Sequence, residues 1–306
     1  MLVHLISSST AYNEILVPDM IRIFISRGYQ VDTQYLNQNR SELGYVDSDA
    51  GRAANLVAAL CDKRVKLLWF VNGGGGAINL LPYLKEAHSD LLRTNPKIII
   101  GLSDVTALHH FVNRFLDWKS IHGVMATFNA EMHAVTGYKP NCCSSIDTVF
   151  DVMSEGNVYR GILCLNKTPL CDLHGKLAGG NLTLFQSLFS TYYEKYFESD
   201  ILILEDVNLT HRQFDRILNQ IAFKSDFKPK AMIFGQFFKI GVDDAERLIY
   251  KRVIELFAEK VSYPVFYYPY FGHGEKNQPL ILNHDVIISS EALENTYCLC
   301  QSPLQM

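Results

Sequence analysis

The stretch Lys97-Ile98-Ile99-Ile100-Gly101-Leu102-Ser103-Asp104-Val105-Thr106-Ala107-Leu108-His109-His110-Phe111 decides the fold class. A β-branched apolar run, a glycine turn and an amphipathic run follow one another in 15 residues. That order is a strand, a sharp turn and a helix, the repeating unit of an α/β sheet. The turn also lifts a serine hydroxyl above a sheet edge, beside the amides that open a helix. Ser103 is therefore either a helix N-cap, the commonest use of serine at such a position, or a nucleophile. Gly101-Leu102-Ser103-Asp104-Val105 matches only part of the G-x-S-x-G elbow, because Val105 replaces the second glycine.

Working outward, the first half alternates short apolar runs with helical patterns. Leu2–Ile6, Tyr29–Tyr35, Val65–Val71 and Lys97–Ile100 are expected strands. Val17–Arg27, closed by Gly28, and Asp49–Cys61 are expected helices, and Ile78–Leu84 opens another. This alternation argues a parallel sheet covered on both faces. The pattern loosens over residues 136–170 (Gly137, Pro140, Cys142-Cys143, Gly156, Gly161, Pro169), which places a domain boundary there and gives domains 1–155 and 156–306. Beyond it, Leu177–Leu182 is a strand-to-helix turn, Ile201–Leu204 a strand ending in Glu205-Asp206, and Phe214–Phe223 a helix. Ala231–Phe234 is a strand, Asp243–Phe257 a helix, and Val265–Tyr268 a strand ending near His273.

Composition narrows the function classes. The 306 residues carry 28 Lys and Arg against 32 Asp and Glu, a net charge of −4, so no nucleic-acid partner is expected. No apolar run approaches the ~20 residues of a membrane span. The opening Met1-Leu2-Val3-His4-Leu5-Ile6-Ser7 lacks the positive start and long apolar stretch of a signal peptide. Seven cysteines without zinc-type spacing are read as reduced thiols in a cytoplasmic protein, and neither metal nor cofactor is expected.

Strand ends are where α/β folds place their sites. Besides Ser103, the glycine run Asn72-Gly73-Gly74-Gly75-Gly76 follows a strand. It lacks G-x-G-x-x-G and the Lys-Ser/Thr of a P-loop, so a nucleotide cradle is disfavoured against an oxyanion hole. The amide of Asp104 is the first candidate donor, and a glycine amide from residues 73–75, with Gly74 taken as the donor, is the second. Glu205 ends a buried strand and needs a partner, either a nearby arginine (Arg212 or Arg216) or a histidine that it orients. His109 and His110 lie on the helix after Ser103 and are poorly placed as bases, whereas His122 and His174 read as loop residues. His273, flanked by Gly272 and Gly274, is the candidate base.

Together these segments resemble the LD-carboxypeptidase family of serine peptidases, which includes murein tetrapeptide LD-carboxypeptidases and microcin C immunity peptidases. Arg52-Ala53-Ala54-Asn55-Leu56, Val71–Gly76 and Leu80-Leu81-Pro82-Tyr83-Leu84 look like its oxyanion-loop region. Gly101–His109 is similar to its nucleophile motif and Leu177-Ala178-Gly179-Gly180-Asn181-Leu182 to its interdomain glycine motif. Leu204-Glu205-Asp206 with Phe214-Asp215-Arg216 resembles its glutamate segment, and Phe271-Gly272-His273-Gly274 its histidine motif. The resemblance implies a Ser103–His273–Glu205 triad without metal. It implies a flavodoxin-like N-terminal domain with a parallel sheet and a smaller C-terminal β/α domain carrying Glu205 and His273. It also implies a site in the cleft between the domains and a homodimer.

The implied reaction releases terminal D-alanine from murein tetrapeptides during cytoplasmic peptidoglycan recycling. One departure bears on substrate. Tetrapeptidases of the family usually carry Arg-Gly-Gly-Tyr-Gly where this chain has Asn72–Gly76. An Asn-Gly-Gly start is closer to the immunity peptidases, while Gly101–Leu108 fits the tetrapeptidases as well. Murein tetrapeptide is the favoured substrate, an aminoacyl-adenylate-like compound the alternative. A non-catalytic sugar- or nucleotide-binding α/β protein is the reading from another class.

Overall fold

The computed structural model describes residues 1–137, 144–166, 169–240 and 244–305. The chain divides into two compact units, 1–150 with 275–283 and 151–274 with 284–306. Up to residue 155 the elements are β1 (Leu2–Ile6), α1 (Val17–Ser26), β2 (Gln30–Tyr35), α2 (Asp49–Cys61), β3 (Leu67–Phe70), α3 (Leu81–Glu86), α4 (His88–Leu91), β4 (Ile98–Gly101), α5 (Thr106–Phe115), β5 (Ser120–His122), α6 (Ala130–Thr136) and α7 (Asp147–Glu155). They are followed by β6 (Asn157–Cys164), β7 (Leu173–Asn181), α8 (Leu182–Ser187), β8 (Asp200–Val207), α9 (His211–Phe223), β9 (Ala231–Phe238), α10 (Asp244–Ala258), β10 (Val265–Tyr267), β11 (Leu280–Leu282), β12 (Asp285–Ser290) and β13 (Thr296–Gln301).

The first unit is built on a sheet of order β11-β5-β4-β3-β1-β2. From β2 to β5 every pairing is parallel, and only the edge strand β11 runs antiparallel. Parallel strands buried on both faces read as unbroken apolar runs, and β3 is buried at all four of its residues, Leu67-Leu68-Trp69-Phe70. Trp69 anchors this core: its indole meets Phe24 edge-on at 4.9 Å and donates to Val124 O at 2.9 Å. The order 2-1-3-4-5 is the flavodoxin-like one, whose ligands gather at the carboxyl ends of the strands near the β1/β3 reversal.

In the second unit seven strands close into a barrel, β10-β6-β13-β12-β7-β8-β9. β7, β8, β9 and β10 run parallel to one another, and the remaining pairings are antiparallel. Helices α9 and α10 cover one side through Phe214, Leu218, Ile221, Tyr250, Ile254 and Phe257, packed on Leu202, Leu204, Met232 and Phe234. Phe214 stacks on Phe237 at 4.2 Å. Thr210 and Gln213 form a reciprocal capping box that starts α9.

Several elements differ from the expectations. The stretch read as loose, 136–170, contains α7 and β6, while Pro140, Cys142 and Cys143 lie outside the described residues. His122 is a buried residue of β5 and His174 lies in β7; neither is in a loop. The helix expected from Ile78 is split into a 3-10 turn over Ala77–Leu80 and the short α3. α10 covers the expected helix, whose first residue, Asp243, lies outside the described residues. Three strands near the end of the chain, β11 to β13, had no counterpart in the sequence reading. Cys61, Cys164, Cys171, Cys298 and Cys300 are free thiols. No helix among the described residues is long and apolar enough to cross a membrane.

Candidate active site

Ser103 stands two residues past the end of β4 with φ 62°, in the left-handed region that side-chain-bearing residues seldom enter. Such strain, on the order of 1–3 kcal/mol, persists only where the surroundings enforce it. Here the strand end is pinned. Gly101 O accepts from Gly123 N at 3.1 Å and from His109 Nε2 at 2.9 Å. His109 is wholly buried, and burial drives its pKa down to about 3, so it is a neutral donor rather than a base. The cap reading of Ser103 fails. A 3-10 turn starts at Ser103 and α5 at Thr106, and neither has a side-chain cap.

The next residue ties three loops together. Asp104 is buried, and its Oδ2 accepts from Ser9 Oγ at 2.6 Å and from Ala77 N at 2.8 Å. Those donors lie in the loops after β1 and β3, so one carboxylate gathers the carboxyl ends of three adjacent strands. Burial raises the Asp104 pKa; the two hydrogen bonds and the Arg52 charge oppose it. Arg52 is itself buried, donates to Ser8 O at 2.6 Å, pairs with Asp49 and lies 4.4 Å from the Tyr45 ring centre. At Gly73 an added Cβ would sit 3.2 Å from Ser103 Cβ, 3.4 Å from Ser103 Oγ and 3.8 Å from Asp104 N. The glycine loop thus abuts both the hydroxyl and the candidate donor amide, and any side chain there would crowd them.

In the second unit, Glu205 lies on β8 with no exposed side-chain surface. Leu204 pairs with Phe234 but Asp206 pairs with Phe237, so Glu205 faces both Gly235 and Gln236 across a β-bulge. His273 Nδ1 meets Glu205 Oε2 at 2.6 Å. A carboxylate can only accept, so Nδ1 carries the proton and Nε2 is left as the acceptor. Burial lowers the His273 pKa, but the charge and hydrogen bond of Glu205, with the charge of Asp206, outweigh it and raise the pKa above its ordinary 6.5. Asp206 accepts from Asn181 Nδ2 at 2.9 Å and from Thr183 Oγ1 at 2.7 Å. Its own pKa is raised by burial and by the neighbouring Glu205 charge.

Backbone shape makes the histidine contact feasible. Gly272 has φ 113°, and a Cβ there would come within 2.8 Å of Glu205 Oε2. Gln236 clasps the same loop: its Nε2 donates to Pro269 O at 3.0 Å, its N to Phe271 O at 3.1 Å, and its Oε1 accepts from Gly274 N. Gln236 escaped the sequence reading, as did the supporting Ser9. A run of hydroxyls directly after the first strand, Ser7-Ser8-Ser9-Thr10, was the available signal for the latter.

Comparison with known proteins names the family. Two family models match, one described as the LD-carboxypeptidase N-terminal domain over residues 3–123 and one as the LD-carboxypeptidase C-terminal domain over residues 174–288. The chain belongs to the LD-carboxypeptidase family. It is therefore a member of a peptidase family. A carboxypeptidase-named relative from Rickettsia conorii is 34% identical over 247 residues, 77% of this chain and 72% of that protein. A Bacillus subtilis relative named as a murein peptide carboxypeptidase is 28% identical over 60% of this chain and 55% of its own. In fold, this LD-carboxypeptidase family member is similar to the muramoyltetrapeptide carboxypeptidase of Oxalobacter formigenes, with a TM-score of 0.80, 20% identity and all of both chains covered. It is similar also to an MccF-like protein of Bacillus anthracis, with a TM-score of 0.75, 19% identity, and 98% of this chain and 96% of that one covered.

Proposed function

We propose that this chain is a serine-type LD-carboxypeptidase that removes the terminal D-alanine from a murein tetrapeptide, with Ser103 as nucleophile, His273 as general base and Glu205 as its orienter. The observation that carries the reading is the state of His273. Its Nδ1 is bound by a wholly buried carboxylate at 2.6 Å, which leaves Nε2 as a proton acceptor. The strained, uncapped Ser103 in the other unit supports it, because a nucleophile elbow requires that backbone.

The steps follow. Nε2 of His273 takes the Ser103 proton as Oγ bonds to the carbonyl carbon of the residue before D-alanine. The carbonyl electrons move onto oxygen, where the amides of Asp104 and Gly74 receive them, each worth roughly 3–4 kcal/mol. Collapse breaks the C–N bond, and the imidazolium protonates the departing D-alanine amine. Water, deprotonated by the same nitrogen, then releases the acyl group and restores Ser103.

The name of the Bacillus subtilis relative and the fold of the Oxalobacter formigenes enzyme support a murein substrate. The Asn72–Gly76 loop supports a second reading, the same chemistry on an aminoacyl-nucleotide-like compound, in keeping with the likeness to MccF-type structures. The test is D-alanine release from murein tetrapeptide by wild type and by Ser103→Ala, with and without EDTA. Release that EDTA leaves intact and Ser103→Ala abolishes is the expected result. Full activity in Ser103→Ala would sink the mechanism. Cleavage of an aminoacyl sulfamoyl nucleoside with none of the tetrapeptide would replace the substrate.

A further inference from the structure

An oxyanion donor works only if it is aimed. A trans peptide is planar, and its C=O and N–H point in opposite directions. The direction of the Gly74 N–H is therefore set by whatever holds the Gly73 carbonyl. One residue holds it twice. Thr10, in the loop after β1, donates its hydroxyl to Gly73 O at 2.6 Å and its backbone N–H at 3.3 Å. Having given its proton, the Thr10 hydroxyl accepts from Asn72 Nδ2 at 3.2 Å.

The surroundings leave this peptide little freedom to turn. Gly74 has φ 108°, and a Cβ on it would fall onto the Thr10 hydroxyl and methyl groups. The Gly73 α-carbon lies against Ser103, as the close approach of its notional Cβ to Ser103 Oγ indicates. Four consecutive glycines would otherwise be the most mobile segment of the loop, with the largest conformational entropy to lose.

We propose that Thr10, backed by Asn72, is a positioning residue that aims the Gly74 amide at the oxyanion of the tetrahedral intermediate. The inference rests on the reading of Gly74 and Ser103 above, and adds that the donor is oriented from a third loop by a hydroxyl that never touches substrate. It also gives Asn72 a role: its side chain sets the direction in which the Thr10 hydroxyl donates.

Thr10→Val, which keeps the size and drops the hydroxyl, tests this beside Thr10→Ser, Asn72→Ala and Ser103→Ala. The readouts are kcat and KM for D-alanine release, the affinity of a peptide boronate that forms a tetrahedral adduct with a serine, and the melting temperature. Thr10→Val is expected to lower kcat roughly 10- to 100-fold, part of the 10²–10³ of a lost donor, with KM within about twofold. Boronate affinity should fall in parallel, and Thr10→Ser should restore kcat to within about threefold. Asn72→Ala should lie between the two and decides the matter if Thr10→Val does not fold. Unchanged kcat in Thr10→Val, equal losses in the serine and valine variants, or a loss confined to KM would overturn the proposal. Full turnover by Ser103→Ala would instead overturn the serine mechanism beneath it.

Discussion

Ser103 and His273 each follow a parallel strand, yet the two units hold them by different physics. Around Ser103 the main chain dominates: a residue at φ 62°, a glycine loop against it, and backbone amides as the proposed donors. Its buried carboxylate, Asp104, works by binding Ser9 and Ala77 of two neighbouring loops. Around His273 the side chains dominate: a wholly buried carboxylate, an imidazole at 2.6 Å and the clasp of Gln236. The difference is instructive. Charge developing on an oxyanion is met by fixed dipoles that need no titration. A proton in transit needs a base whose pKa can be set, and burial, a neighbouring charge and a hydrogen bond set it.

The contrast breaks most easily at Glu205. Glu205→Gln keeps the shape and removes the charge, and should lower kcat by roughly 10³–10⁴-fold, as for other triads that lose their carboxylate. It should also move the pH profile. In the wild type, Glu205 raises the His273 pKa, so the acid limb of kcat/KM should lie above pH 6.5. Without that charge the burial that lowers the pKa prevails, and the limb should move below its wild-type position. An unmoved limb in an active variant would mean that Glu205 does not tune the base.

At Gly74 the effect should be smaller and of another kind. Gly74→Ala is strained at φ 108° and collides with Thr10. Loss of one donor predicts a drop in kcat of about 10²–10³, while the acid limb stays where it is. Smaller still is the clasp. Gln236→Ala frees Pro269 O and Gly274 N, and a loosened His273 should cost about tenfold in kcat, with the Glu205 contact and its pH signature retained. A limb that shifts in Gly74→Ala, or fails to shift in Glu205→Gln, would dissolve the division between backbone and charge.

The same division explains what could be read from the residues. In the first sheet β1, β3 and β4 were readable because they are buried almost throughout and stand as near-continuous apolar runs. β12 and β13 were not. β12 is a short alternating strand, Asp285-Val286-Ile287-Ile288-Ser289-Ser290, whose apolar run is broken by outward-facing positions. The neighbours of His122 suggest a loop, but β5 is a three-residue strand that buries it beside Gly101. In the site, the strand-turn-serine-helix order and the glycine-flanked histidine stood out on chemistry alone. Thr10 and Gln236 act through contacts to backbone groups 63 and 33 residues away, and no local pattern encodes such pairs.

The proposed mechanism requires Ser103 and His273 to act together in one reaction. Its most direct measurement is a double-mutant cycle on kcat/KM for D-alanine release, using Ser103→Ala, His273→Ala and the double variant. Groups that act as a unit are strongly non-additive. The double variant is expected to be no worse than about tenfold below either single one, each single loss being on the order of 10⁴ or more. Losses that multiply in the double variant would show two independent contributions and contradict the triad.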